Sequence, residues 1–243
     1  MTNQPAKQPA YRRIVLKLSG EVFGGRRASG LDGAVLRRVA KEIARAAALD
    51  AQLGIVIGGG NFFRGARNEL APIARTTGDD IGMLATAMNA LAFRDFLRHA
   101  GLKAEALSAI EMPKIMDRFS VRRAEELFAQ GATLIFAGGT GNPHFTTDTA
   151  AALRAAEIGA DLLLKATNVD GVYSEDPSKN PKAKRFERLS YAQCLNKRLG
   201  VMDMTAFELC QSNKIPIIVF NLTQAGGIER AIAGEAIGTY VGG

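Results

Sequence analysis

Between residues 13 and 165, continuous apolar runs of strand length alternate with stretches whose apolar residues recur at helical spacing. The run RIVLKL at 13–18 ends in Ser19-Gly20, and LGIVI at 53–57 ends in Gly58-Gly59-Gly60. Each reads as a buried strand entering a turn. Between them Asp32 opens a stretch with Val35, Leu36, Val39 and Ile43 on one face, the pattern of an amphipathic helix. From Asp79 to Ala100, Ile81, Leu84, Met88, Leu91 and Phe96 predict a long helix with two aspartates at its positive end. A strand at 104–107, a helix at 120–130, the strand TLIFA at 133–137, a helix at 148–157 and the strand DLLLK at 161–165 continue the alternation. After them, 170–185 reads as a loop rich in Asp, Pro, Ser and Lys. A helix at 204–213, the strand IIVF at 217–220 and a short C-terminal helix and strand follow.

Strands that are apolar throughout and separated by helices predict an α/β fold whose mainly parallel sheet is covered on both faces. Right-handed crossovers set the strand C-termini along one rim, where open α/β sheets bind their ligands. The glycine-rich turns after Leu18, Ile57 and Ala137 fall on that rim. A break near Ala160 separates two lobes, 11–160 and 161–243, on one continuous sheet. A polar, proline-bearing stretch at 1–10 is expected to be a disordered tail and lacks the apolar centre of a signal peptide.

The size and composition, 243 residues with 47% hydrophobic and 23% charged, are those of an ordinary globular protein. No stretch approaches the ~18–20 apolar residues of a membrane span. Cys194, Cys210, His99 and His144 are too few and too scattered for a disulfide framework or a histidine metal site, which points to a reducing cytoplasm. The formal net charge of +7 suits anionic partners. A nucleic-acid surface would cluster basic residues with stacking aromatics. Here aromatics are 7% of the chain and the basic residues are spread along it, so small anionic substrates fit better.

Phosphate binding needs outward backbone N–H groups, close approach and positive charge; glycine turns at strand ends supply the first two, lysine and arginine the third. Lys17 stands just ahead of Ser19-Gly20, Arg64 four residues after the triple glycine, and Lys165 at the end of another buried run. The segment from Gly138 to Thr147 adds glycines, threonines and an asparagine. Taken singly, such a lysine snorkels to a strand edge and such glycines make only a tight bend. Their recurrence on one rim favours a phosphate site. Neither a P-loop signature, a protein-kinase motif set, a dinucleotide fingerprint nor a hydrolase elbow is present.

Five stretches, VLKLSG at 15–20, VIGGGNFFRG at 56–65, GDDIGMLATAMN at 78–89, GTGNPHFTT at 139–147 and LKATNVDGVYSEDP at 164–177, carry a more specific likeness. With them the chain resembles the amino-acid-kinase superfamily and, within it, the bacterial UMP kinases. The resemblance implies a three-layer αβα fold with a central, mainly parallel sheet of about eight strands. It further implies transfer of phosphate from ATP to UMP with Mg²⁺, an acceptor-binding N-terminal lobe, an ATP-binding C-terminal lobe and a homohexamer.

By the same resemblance Lys17 and Lys165 flank the transferred phosphoryl group and Asp148 holds both lysines. Lys17, Leu18, Ser19, Gly20, Gly60 and Arg64 meet the ATP phosphates; Thr167, Asn168, Tyr173 and Asp176 line the adenosine site. Gly59, Asp79 and the run Thr140, Gly141, Asn142, Pro143, His144, Phe145, Thr146 and Thr147 hold UMP, with Asp79 on the ribose hydroxyls. Asp203 is assigned to Mg²⁺. The loop Gly25, Arg26, Arg27, Ala28, Ser29 and Gly30 occupies the place of a GTP-activation loop, and UTP is the corresponding inhibitor. Its two arginines, and His144 where an apolar or aromatic residue is expected, depart from the family pattern. Two other readings remain at this point: a kinase of the same fold acting on a carboxylate or carbamate, and a nucleotide- or nucleic-acid-binding regulator without turnover.

Overall fold

The structure, a computed structural model, describes residues 10–27, 29–63 and 72–243. The expected tail, Ala10 excepted, and the assigned residues Ala28 and Arg64 lie outside them. In chain order the elements are β1 (Arg13–Leu18), α1 (Gly20–Gly24), α2 (Gly33–Ala47), β2 (Gln52–Ile57), α3 (Arg75–His99), β3 (Ala104–Ser108), β4 (Asp117–Arg118), α4 (Val121–Ala129), β5 (Thr133–Ala137), α5 (Thr147–Glu157), β6 (Leu162–Thr167), β7 (Arg188–Leu189), α6 (Tyr191–Asn196), α7 (Met204–Ser212), β8 (Ile217–Asn221), α8 (Gly227–Ile232) and β9 (Thr239–Val241).

The strands form one sheet in the order β4-β3-β5-β2-β1-β6-β8-β9-β7. It has nine strands rather than about eight, because the two-residue β4 and β7 extend its edges. Every pairing is parallel except that of β8 with β9. Side chains alternate across the sheet, as strand geometry requires. Ile14, Leu16 and Leu18 enter a core shared with α2, α3 and α8, while Val15 points to the opposite core, built with α4, α5, α6 and α7. Two apolar layers on one sheet give the three-layer αβα architecture.

Side-chain caps fix where the helices begin. The Asp32 carboxylate accepts from the amides of Ala34 and Val35 at 2.9 and 3.3 Å, and Ser190 opens α6 with a capping box. One expected boundary is corrected. α3 starts at Arg75, so Asp79 and Asp80 lie in its second turn and not at its positive end. Thr76-Thr77-Gly78 has weak helix propensity and hides this first turn in the sequence; the Arg75–Asp79 ion pair, 3.0 Å and one turn apart, supports it.

Candidate active site

The register of β1 and β6 sets Lys17 directly beside Lys165. Both lie on the sheet face that carries α5, because each follows, two residues on, an apolar residue of that core, Val15 or Leu163. Thr146 caps α5 by accepting from the amides of Asp148 and Thr149, so Asp148 sits in the first turn, where the helix dipole favours its charge. Its carboxylate reaches between the lysines: Lys17 Nζ is 2.9 Å from Oδ1 and Lys165 Nζ is 2.6 Å from Oδ2. Lys165 also donates to the carbonyl of Val201 at 2.6 Å. The three side chains are 13–15% exposed, so water screens these charges only in part. Burial alone would raise the Asp148 pKa; the two ammonium groups outweigh it and hold the carboxyl below its ordinary value. Lys165 is pulled below the usual lysine range by burial first, with Lys17 adding to the effect and Asp148 opposing it.

The glycine turns close around this cluster. The Gly58 amide donates to the Leu18 carbonyl at 3.0 Å, and a Cβ on Gly20 would collide with the Gly58 carbonyl. The turns after β1 and β2 therefore touch backbone to backbone, which only glycine permits. Gly138 and Gly139 take left-handed φ angles of 75° and 57° at the end of β5. A cavity of about 260 Å³ opens beside them, walled by Gly59, Arg75, Asp79, Asn142, Phe145 and Thr147 among others. A second cavity of about 480 Å³ is walled by Lys165, Thr167, Tyr173, Asp176, Arg198 and Val201. The lysine–aspartate cluster stands between the two: Lys165 is in the wall of one, and Asp148 follows Thr147 in the wall of the other.

The pattern of the Amino acid kinase family matches residues 12–221. The chain belongs to the amino acid kinase family. Two family members at full length are the uridylate kinase of Coxiella burnetii, 51% identical with 99% of this chain and 98% of that one covered, and the uridylate kinase of Mesorhizobium japonicum, 52% identical with 96% and 98% covered. The crystal structure of UMP kinase from Bacillus anthracis superposes with a TM-score of 0.92 at 33% identity, covering 96% of each chain. That of UMP kinase from Ureaplasma parvum gives 0.91 at 35%, covering 96% of this chain and 99% of the other.

Within the family frame, the residues singled out in the sequence occupy distinct places. Gly60, Thr140, Thr146 and Phe145 border the smaller cavity, whereas Gly141, Pro143 and His144 shape its loop without lining it. His144 holds a left-handed φ of 70°, and its amide donates to Asp79 at 2.8 Å. Leu18 offers backbone alone, since its side chain is in the core. Asn168 lines a different cavity from Thr167, Tyr173 and Asp176, one of about 400 Å³ shared with Ser19, Gly25, Arg27 and Gly60. The Asp203 carboxylate is engaged within the chain. It caps α7 through the Ala206 amide at 3.0 Å and accepts from the hydroxyls of Thr149, at 3.0 and 3.1 Å, and Thr146.

Several residues at the site were not singled out in the sequence. Arg75 lines the smaller cavity, and Lys197 and Arg198 the larger one. Arg75 was hidden because the sequence pattern places the start of α3 four residues too far along; a basic residue four positions ahead of Asp79 was its signal. Lys197 and Arg198 follow α6, a six-residue helix inside a segment without a strong period. Cys194 and Cys210 are buried free thiols whose pKa values burial pushes up to about 11 and about 12, so they are packing residues and not nucleophiles.

Proposed function

We propose that this protein transfers the γ-phosphoryl group of ATP to UMP, forming ADP and UDP, as a cytoplasmic enzyme of pyrimidine nucleotide biosynthesis. The reading is carried by the Lys17–Asp148–Lys165 cluster between two cavities on one rim, and supported by full-length likeness to proteins named uridylate kinase. The N-terminal lobe, with the Asp79 cavity, takes the acceptor; the C-terminal lobe, with the Tyr173 cavity, takes adenosine. Phosphoryl transfer asks mainly for positioning and charge stabilisation. Lys17 and Lys165 bring two positive charges to the transferred group, and Asp148 keeps both aimed at it. The acceptor phosphate is already ionised, so no general base is required and His144 is given no acid–base role.

The residues present fit Mg²⁺ carried on ATP rather than a metal held by the chain. No cluster of three His, Cys, Asp or Glu side chains able to hold an ion occurs among the described residues. The Asp148 carboxylate is taken by lysines and that of Asp203 by hydroxyls and an amide. Mg²⁺ keeps several waters and needs only one or two carboxylates beside substrate phosphates, and when bound it neutralises phosphate charge. Asp203, assigned to the metal by the resemblance, would be the carboxylate to meet it.

A homo-oligomer, a hexamer by likeness, and regulation by GTP and UTP belong to the same proposal. No described helix is long and apolar enough to cross a membrane, yet α3 exposes Leu84 and Met88, one turn apart, at 51% and 47%. Light scattering of the purified protein checks the assembly. A GTP titration at fixed UMP checks the 25–30 loop, whose Gly25 and Arg27 border the cavity beside Ser19 and Gly60.

The activity itself is tested by ADP release with UMP, CMP, aspartate, acetylglutamate and carbamate as acceptors. Release with UMP is expected. Release with an acyl acceptor alone would move the chain to another branch of the family, and release with none would leave a binding protein.

A further inference from the structure

The rim loops share one support. α3 turns a narrow polar stripe, Asp79, Thr86 and Asn89, toward the strand ends, spaced so that all three fall on one helix face. Asp79 and Thr86 hold the loop between β5 and α5 at two points, and Asn89 holds the turn after β2. Asp79 accepts from the His144 amide. The buried Thr86 hydroxyl donates to the Met83 carbonyl at 2.7 Å and accepts from the Gly138 amide at 2.8 Å. The fully buried Asn89 donates to the Gly58 carbonyl at 2.7 Å and exchanges two amide hydrogen bonds with Asn61, at 2.8 and 2.9 Å. Asn61 in turn donates to the Gly30 carbonyl at 2.8 Å, and its own carbonyl accepts from the Gly30 amide at 2.9 Å and the Ser29 hydroxyl at 3.0 Å. Between these points the helix backbone meets the triple glycine directly: a Cβ on Gly59 would lie 2.6 Å from the Gly82 carbonyl.

Buried polar side chains at core positions are costly unless every group is paired, and paired networks fix one arrangement. Neither Thr86 nor Asn89 is needed to fill its helix face, which Met83, Ala87, Ala90 and Phe93 already make apolar. Each satisfies a backbone group of a glycine turn that a valine or leucine would leave unpaired.

We propose that Thr86 and Asn89 are positioning residues for phosphoryl transfer, with α3 acting as a ruler that sets the separation of the Gly58–Gly60 and Gly138–Gly139 turns. The inference rests on the kinase reading above for its kinetic consequence, but not for its structural one. Misplacing a bound reactant by about 1 Å costs on the order of a hundred-fold in rate. The two residues divide the work. Thr86 sets the turn that opens the acceptor loop. Asn89 sets the turn between both substrates and joins it, through Asn61, to the loop ending at Gly30.

The test compares Thr86→Val, Thr86→Ser and Asn89→Asp in the full-length protein. Thr86→Val removes the hydroxyl at nearly constant volume; Thr86→Ser keeps the hydroxyl and loses the methyl. Thr86→Val should lower kcat/KM for UMP about ten-fold or more, in part through a raised KM for UMP, leave the KM for ATP within about two-fold, and Thr86→Ser should restore the loss. Asn89→Asp should raise both KM values. A Thr86→Val enzyme with an unchanged kcat/KM for UMP, or a Thr86→Ser enzyme impaired as much as Thr86→Val, overturns the proposal, since packing and not the hydroxyl would then matter. Amide hydrogen exchange without nucleotide supplies the second measurement. Thr86→Val should speed exchange at Gly138 while Asn89→Asp leaves it slow; equal behaviour of the two variants there sinks the ruler. If the wild type makes no ADP with UMP, the kinase reading fails and the exchange data still decide this one.

Discussion

Replacing Lys17 with alanine should lower turnover about a thousand-fold with the fold intact. An ammonium about 4 Å from a phosphate oxygen contributes ~4 kcal/mol at an effective dielectric of ~20. If most of that acts on charge developing in transfer, it corresponds to about three decades in rate. The fold should survive because Asp148 keeps its 2.6 Å partner Lys165, and the lysine stem sits at the rim end of β1, outside the apolar clusters. Steady-state ADP formation gives the rate, and thermal unfolding followed by circular dichroism gives the fold. Near-normal turnover in Lys17→Ala would remove that lysine from the mechanism.

Asp148→Asn should damage stability and the pH profile together. The variant leaves two adjacent ammonium groups, register partners on neighbouring strands, without their shared counter-charge. Removing one member of a buried ion pair costs ~3–5 kcal/mol, and the thermal midpoint should fall by ~2–4 °C for each kcal/mol in a chain of this size. The folded-state pKa of Asp148 is depressed, so its stabilisation is complete above the ordinary carboxylate pKa and is lost as pH falls through the folded value. The gap between wild type and variant should therefore close on acidification. Lys165 contributes with the same sign in an alkaline window. Its folded pKa lies below the usual lysine value, so the unfolded chain binds more protons between the two and stability rises with pH across that window. Asp148 is the main group, ahead of Asp203, that holds the Lys165 pKa up against burial and Lys17. Without it the alkaline limb of kcat/KM, which reports the free enzyme, should move to lower pH. An unmoved limb would mean that Lys165 does not carry the essential proton.

The layered architecture was readable because the central strands are buried on both faces, which writes them as unbroken apolar runs such as Leu134-Ile135-Phe136. Elements that escaped are those with no period to detect: the two-residue β4 and β7, the glycine-bounded α1, the six-residue α6, and the first turn of α3. At the site, a lysine ending an apolar run is conspicuous, so Lys17 and Lys165 stood out singly. That they lie side by side is a property of strand order, β1 next to β6, which crosses about 150 residues of chain and leaves no local trace. Thr86 and Asn89 were legible in principle as two polar residues three apart on an otherwise apolar stripe. Their partners, the turns at Gly58 and Gly138, are set by tertiary packing and no periodicity reports them.

The two-residue strands that end the sheet have a colloidal consequence. β4 presents an exposed aspartate and arginine, and β7 begins with an exposed arginine. Margins this short and this charged give an incoming chain almost no ladder to extend, which is how sheet proteins avoid polymerising edge to edge. A crowded solution of this protein should therefore resist fibril growth through its sheet, and copies that do associate should do so through other surfaces.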